Sequence, residues 1–515
     1  TLSLANSELR TSGLFVPRCT YVVRMFASVT SVALVGVEPQ PVKVEVHISS
    51  SKPGLTIVGL PDTAIRESRD RVRAALTSSG FALPGRRVTV NLAPADLPKV
   101  GSAYDLPIAL GVLAAARQVP PEVDRVVALG ELALDGGVRP ARGGLAAGLL
   151  ARDQDLPCVV ASDSASEASL AGGGPVYGVG TLAEAVAAAL GEGRESIRTE
   201  RRDFEADSVV DMSEIRGQST AKRAIEVAAA GGHHLLMWGP PGSGKTMLAR
   251  SLPGVLPELA DHEALEVAQV WSASGRASPS WTRPPFRAPH HTATVAAIVG
   301  GGSGIPVPGE VSLAHRGVLF LDELGEFPTN LLDALRQPLE DQVVSVARKG
   351  VSVDFPAALQ VVGATNPCPC GFRGDRLIAC KCSESQIGRY QRRLSGPLID
   401  RFDLRIPVPR IDRQVLMGPP GESTAVVRER VLQARERQRK RGVLNRALGR
   451  AALDGHHWEP AGMSLLERAF DRQEISGRGF DRIRRVARTI ADLEGADGIG
   501  EPHVAEALSY RGDWR

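Results

Sequence analysis

A chain of 515 residues is long enough for about three domains. Its 43% hydrophobic and 23% charged content is that of a globular protein with sizeable cores; 61 basic residues against 58 acidic ones leave no chain-wide field, so any nucleic-acid surface must be local. No run of roughly 18 apolar residues offers a membrane span, and six cysteines in a chain of this size make no disulfide scaffold, which points to a reducing cytoplasm and no membrane partner.

In chain order, residues 1–25 read as an upstream extension, without the apolar stretch and small-residue cleavage site of a signal peptide. From 26 to about 190, strand-like runs at 42–48, 55–58, 88–92 and 126–129 alternate with Ala/Leu-rich helices such as 108–116, the pattern of an α/β domain. Residues 191–207 are charged and unpatterned and read as a linker. Residues 208–412 carry the nucleotide chemistry. Residues 413–515 read as helical: Ser423 caps a helix running to Gly442, and Phe480, Ile483, Val486, Ala487, Ile490 and Leu493 recur at helical spacing.

Gly239, Pro240, Pro241, Gly242, Ser243, Gly244, Lys245 and Thr246 fit G-x-x-x-x-G-K-[ST], the P-loop. The apolar run 234–238 precedes it as a buried strand, and 247–250 open a helix that Pro253 closes. In that setting backbone N–H groups close around phosphates, the helix N-terminus adds partial positive charge, and Lys245 reaches the β- and γ-phosphates. ATP and Mg²⁺ are the expected ligands, with Thr246 and Asp322 on the metal. The strand 318–321 ends in Asp322 and Glu323, a pair suited to positioning Mg²⁺ and polarising the attacking water. A solvated acidic strand end is the competing reading. A further strand ends at Asn366, suited to orienting the same water; a plain turn residue competes with that role.

Residues 343–353 read as a hairpin with Arg348, Lys349 and Gly350 at its tip. Cys368 and Cys370, then Cys380 and Cys382, put four thiols within fifteen positions. Tetrahedral zinc suits them, with Gly371 and Gly374 permitting tight knuckles, although the spacing is C-x-C rather than C-x₂-C. Unligated thiols and an iron–sulfur cluster are the alternatives. Arg435, Arg437, Arg439, Lys440, Arg441, Arg446 and Arg450 are offset only by Glu436. A solvated helix face is the default reading of that run, with an outer DNA contact and a subunit interface as the alternatives.

The order P-loop, Asp–Glu strand, Asn strand resembles the AAA+ ATPases. Residues 393–403 resemble the segment that carries the trans-acting arginine finger in the Mg-chelatase and replicative-helicase branch, which implies Arg401 as the finger and Arg393 as its alternate. Ser476, Gly477 and Arg478 resemble a sensor-2 motif, implying that Arg478 contacts the γ-phosphate of its own subunit. A trans-acting finger implies a ring, a homo-hexamer. Residues 283–291 and the Gly-rich stretch 300–304 resemble the insert that projects into the ring channel of that branch. The hairpin matches one that touches DNA in its helicases, although basic tips are often merely solvated.

Upstream, residues 130–140 with Gly143, Gly144 and Leu145 resemble part of the Lon protease domain, with Lys99 to Asp105 at its nucleophile segment. Lon pairs a serine with a lysine base. Here Leu145, Ala146 and Ala147 occupy the lysine's region and no lysine lies between Lys99 and Lys222, so Ser102 is expected to be structural and proteolysis absent. Taken from 26 to about 511, R-P-P-F-R-A-P-H-H (with one extra proline), N-P-C-P-C-G, S-G-P-L-I-D-R-F-D and V-A-R-T-I-A-D-L resemble the ComM/YifB group of Mg-chelatase-like AAA+ ATPases. The resemblance implies an α/β fold class: a Lon-like α/β domain, an AAA+ P-loop α/β core and a C-terminal helical lid. It also implies a hexameric ATPase whose partner is branched or single-stranded DNA, ComM members being helicases that drive branch migration. The ATPase subunit of a magnesium chelatase and a protein-remodelling machine are the alternatives.

Overall fold

The computed structural model describes residues 25–59, 63–97, 99, 101–192, 196–197, 210–278, 280–302, 306–348, 351–472 and 475–512. The expected N-terminal extension therefore lies outside the described residues apart from Met25. Of the expected linker, the described Ile197 donates its N–H to Val176 O at 2.8 Å and packs in the first domain's core, so that part is folded.

Seven strands form the first sheet: β1 (Phe26–Val35), β2 (Glu38–Ser49), β3 (Gly54–Val58), β4 (Arg87–Ala93), β5 (Val127–Leu129), β6 (Cys158–Ala161) and β7 (Val176–Val179). Their order is β3-β4-β2-β1-β5-β6-β7. In β2, Val42, Val44, Val46 and Ile48 are buried while Lys43 and His47 face solvent, the period-two pattern of a sheet with one covered face. The cover is helix α1 (Asp105–Ala115), buried along its whole length. Gly111 lets it sit close, since a Cβ there would lie 2.7 Å from Val46 Cγ2.

The second sheet comprises β8 (Leu235–Trp238), β9 (Phe286–Arg287), β10 (Val318–Leu321), β13 (Gln360–Thr365) and β14 (Leu404–Pro407), ordered β9-β10-β13-β8-β14 and parallel throughout. A parallel sheet covered on both faces reads as continuous apolar runs rather than alternation, as in the Val-Leu-Phe-Leu of β10. The separate hairpin β11 (Val343–Arg348) and β12 (Val351–Pro356) rises between β10 and β13 in sequence. Helices α3 (Ser219–Gly231) and α4 (Lys245–Val255) share one core with the C-terminal helices α6 (Thr424–Arg441) and α7 (Gly477–Glu494), through Ala228, Leu248, Val431, Ile483 and Ile490. Pro253 does not close α4; the helix runs on to Val255.

Among the described residues, two apolar contacts stand out between the sheets. Helix α2 (Gly144–Gln154) brings Leu145 and Leu149 against Ala264, Ala268 and Trp281, the first two on helix α5 (Asp261–Ala273). The β1–β2 turn also reaches the hairpin: Val35 and Val37 pack on the cluster that holds Val346 and Val353. At Gly36, between them, a Cβ would lie 2.6 Å from Val353 Cγ1. Among the described residues no helix is long and apolar enough to cross a membrane.

Candidate nucleotide site and cysteine cluster

Because β8 pairs in parallel with both β13 and β14, the strand ends that follow Trp238, Thr365 and Pro407 lie in one row. The chain leaves β8 through Gly239, where a Cβ would stand 2.0 Å from Val408 O, so no larger residue fits. Gly242 and Gly244 take φ of +74° and +92°, the left-handed region that lets the loop turn its N–H groups inward. Gln218 ties the loop from outside, its Nε2 donating to Ser243 O at 3.1 Å and Pro409 O at 2.7 Å.

Lys245 opens α4 and is buried. Its Nζ donates to Gly239 O at 2.7 Å, Pro240 O at 3.0 Å and Asn366 Oδ1 at 3.4 Å. Burial lowers its pKa to about 8, against the opposing pull of Asp322 and Glu323. Thr246 Oγ1 donates to Asp322 Oδ2 at 2.8 Å, and the Glu323 N–H donates to Asp322 Oδ1 at 2.9 Å. Residues from the P-loop, β10 and β13 thus converge on one point. A hydroxyl beside a carboxylate is a donor set for Mg²⁺, and the buried Ser243 hydroxyl, which has no hydrogen-bond partner among the described residues, leaves a polar group for a phosphate oxygen to satisfy. The residues fit a Mg²⁺–nucleotide.

Glu323 has a left-handed backbone, φ 51°, and its Oε2 lies 3.3 Å from His291 Nδ1. The His291 ring stands edge-on to Phe327 at 6.4 Å and beside His290 at 4.1 Å. The sequence places His291 only within the 283–291 stretch that resembles the channel insert; its pairing with Glu323 was missed, since nothing local signals a contact across 32 positions (323 − 291).

The arginines fall elsewhere. Arg401 donates to Arg336 O at 3.0 Å and Pro397 O at 2.7 Å and pairs with Glu340 at 2.9 Å, leaving its side chain 11% exposed. Arg393 donates to Gly325 O and pairs with Glu326, both at 3.1 Å, and is half-exposed. Arg478 lies at the start of α7, where Arg482 one turn on donates to Asp403 Oδ1 at 2.6 Å and Arg401 O at 3.2 Å. Asp403 immediately precedes β14, and Leu404 pairs with Leu235 at the start of β8. The beginning of α7 is therefore at the strand-start end of the sheet, opposite the P-loop. There Arg478 lines a cleft with Glu467, Asp471 and Phe480.

Of the basic run, Arg435 donates to Ala229 O at 2.9 and 2.6 Å, Arg441 pairs with Asp492, and Arg446 donates to Leu359 O at 2.9 Å. These three are structural; Arg439 and Lys440 face solvent. At the hairpin tip, Lys349, Gly350 and the Arg348 side chain lie outside the described residues. In the first domain the Ser102 hydroxyl donates to Glu131, buried Lys99 donates to the Pro94 carbonyl, and Leu145 is in the core between the sheets.

Just beyond Asn366, the sulfurs of Cys368, Cys370, Cys380 and Cys382 lie within 4.8 Å of one another. The separations are 3.4 Å (Cys368–Cys370), 3.7 Å (Cys368–Cys380) and 3.6 Å (Cys370–Cys380). Four thiolates about 2.3 Å from a central ion form a tetrahedron with edges of roughly 3.8 Å, so the cluster has the size and donor set for a thiophilic metal.

Residues 211–427 match the family described as magnesium chelatase, subunit ChlI; residues 44–164 match subunit ChlI of Mg-chelatase, and 421–511 its C-terminal part. The competence protein ComM of Haemophilus influenzae is 45% identical over 498 residues, covering 94% of this chain and 97% of the relative. YifB of Escherichia coli is 43% identical over 493 residues, covering 93% and 96%. The magnesium-chelatase 38 kDa subunit of Rhodobacter capsulatus is 26% identical over 328 residues, 59% of this chain and 88% of its own length. With near-complete coverage by relatives well above 30% identity, and a P-loop site assembled on a parallel sheet, the chain belongs to the ComM/YifB family of Mg-chelatase-like AAA+ ATPases.

Proposed function

We propose that this chain hydrolyses ATP with Mg²⁺ and couples hydrolysis to movement along branched or single-stranded DNA, working as a homo-hexameric ring. The convergence of Lys245, Thr246, Asp322 and Asn366 around one loop carries the ATPase reading. Lys245 grips the β- and γ-phosphates, Thr246 and Asp322 hold the metal, Glu323 takes the proton of the attacking water, and Asn366 orients it. Mg²⁺, when bound, neutralises charge on the transferring phosphoryl group.

Arg401 lies beside Asp403, at the sheet end remote from its own P-loop, so in this proposal it serves the neighbouring subunit's phosphate once Glu340 releases it. Arg393 is the alternate. Residues 26–190 act as a Lon-like domain without proteolysis, supported by Ser102 pairing with Glu131 rather than a lysine. Residues 413–515 act as the helical lid. Zinc occupies the four thiols. The DNA reading is supported by the likeness to a competence protein, with Arg348 and Lys349 on the hairpin as the proposed contacts.

Hydrolysis measured with and without forked or four-way DNA tests the reading. Stimulation that disappears in Lys245→Ala is expected; DNA that alters neither hydrolysis nor oligomeric state sinks the translocase reading. Mixing inactive Lys245→Ala and Arg401→Ala chains should restore part of the activity, because some interfaces then pair an intact P-loop with an intact finger. No recovery removes Arg401 from that role.

A further inference from the structure

We propose that the four-cysteine knuckle is a working part of the nucleotide site: zinc held by Cys368, Cys370, Cys380 and Cys382 fixes the P-loop in its phosphate-binding shape, and loss of the metal loosens the grip on nucleotide. This rests on the nucleotide-binding reading above.

Two tethers connect the knuckle to the loop. Gly371, in the turn after Cys370, has φ +84° and packs on Pro241 so closely that a Cβ would lie 2.6 Å from Pro241 Cδ and 3.8 Å from Asn366 Cγ. The second tether is Asp375. Its Oδ1 accepts from the Leu377 and Ile378 N–H groups at 2.8 and 2.9 Å, while Oδ2 faces Arg410 Nε at 3.3 Å. Arg410 stands two positions after Val408, whose carbonyl stands behind Gly239 and whose N–H donates to Trp238 O at 2.7 Å. The knuckle therefore bears on the P-loop at Pro241 and on the strand exit that backs Gly239.

Its own shape depends on the cross-link. Residues 371–380 contain no helix or strand, and Leu377, 76% exposed, shows how little apolar burial they supply. A short segment without a core is ordered by ligation or remains an ensemble. Ordered, it presses Gly371 against Pro241, and a loop already in its bound shape loses less freedom when the phosphates arrive. Sequence continuity adds a third link: Cys368 stands two positions after Asn366, the residue within 3.4 Å of Lys245 Nζ.

The test uses the full chain and a fluorescent ATP analogue. Metal analysis is expected to give one zinc per chain. Stripping it with a chelator should weaken analogue binding at least about tenfold, with recovery when zinc is returned. Gly371→Ala should keep its zinc yet weaken binding to a similar degree, because the added methyl displaces Pro241. A zinc-loaded protein that fails to bind the analogue overturns the nucleotide reading itself. Equal binding by loaded, stripped and Gly371→Ala proteins, or a chain that takes up no zinc, overturns this inference and leaves that reading intact. If stripping unfolds the chain, seen as loss of far-ultraviolet ellipticity, Gly371→Ala alone decides the matter.

Discussion

An ammonium group buried away from water holds its proton less tightly than one in solution, and Lys245 shows the consequence. Its pKa falls from 10.5 to about 8, so in the nucleotide-free protein the positive charge is complete below that pH and is lost as pH rises through it. Phosphate binding needs the charged form. Above pH 8, binding must therefore draw in a proton, and affinity should fall by up to about tenfold per pH unit, while remaining flat below. Calorimetric titration in buffers of different ionisation heat should detect proton uptake at about pH 9 and none at about pH 6.5. Glu323 makes a second residue-scale case. Glu323→Gln should keep nucleotide affinity and lose at least roughly 10²-fold in turnover, the usual worth of a general base. His291→Ala frees the carboxylate from its partner at 3.3 Å. Basal turnover is then expected to rise by roughly fivefold, the equivalent of a contact of about 1 kcal/mol, with affinity unchanged in the same binding assay.

At the scale of elements, β8, β10 and β13 were legible because strands buried on both faces are written as unbroken apolar runs, each ending in a residue of the site. Helix α7 was legible from its 3.6-residue repeat, and Ile483, Val486, Ala487 and Ile490 are buried. Where α7 points was not legible. Its placement depends on Arg482 meeting Asp403, 79 residues apart, and no periodicity encodes that pairing. The same holds for His291 with Glu323 and for Gly371 with Pro241, contacts created by packing rather than spacing. Pro253 misleads for a simpler reason: near a helix end it removes one hydrogen bond without stopping the last turn. Asp403 gives the element-scale prediction. It is fully buried, accepts from Arg482 and from the His234 N–H at 3.1 Å, and its carboxyl is held well below the usual range by its hydrogen bond with His233 and by the Arg482 charge, despite the opposing cost of burial. Asp403→Ala leaves Arg482 uncompensated and should cost about 3–5 kcal/mol, read as a lowered denaturation midpoint.

At the scale of the whole molecule, the seven- and five-stranded sheets are joined by side chains that sequence patterning assigns to neither. Leu145, Leu149 and Trp281 form a small shared core between them. Leu149→Asp should therefore lower the unfolding temperature and raise binding of an apolar dye while leaving the P-loop residues untouched. The second contact bears on movement. The hairpin β11–β12 stands on a footing supplied by the other domain, with Val35 and Val37 beneath it and Gly36 admitting Val353 to contact distance. A free hairpin bends when its tip is loaded and dissipates the force within itself. A braced one is stiff, and passes that force into a seven-stranded sheet.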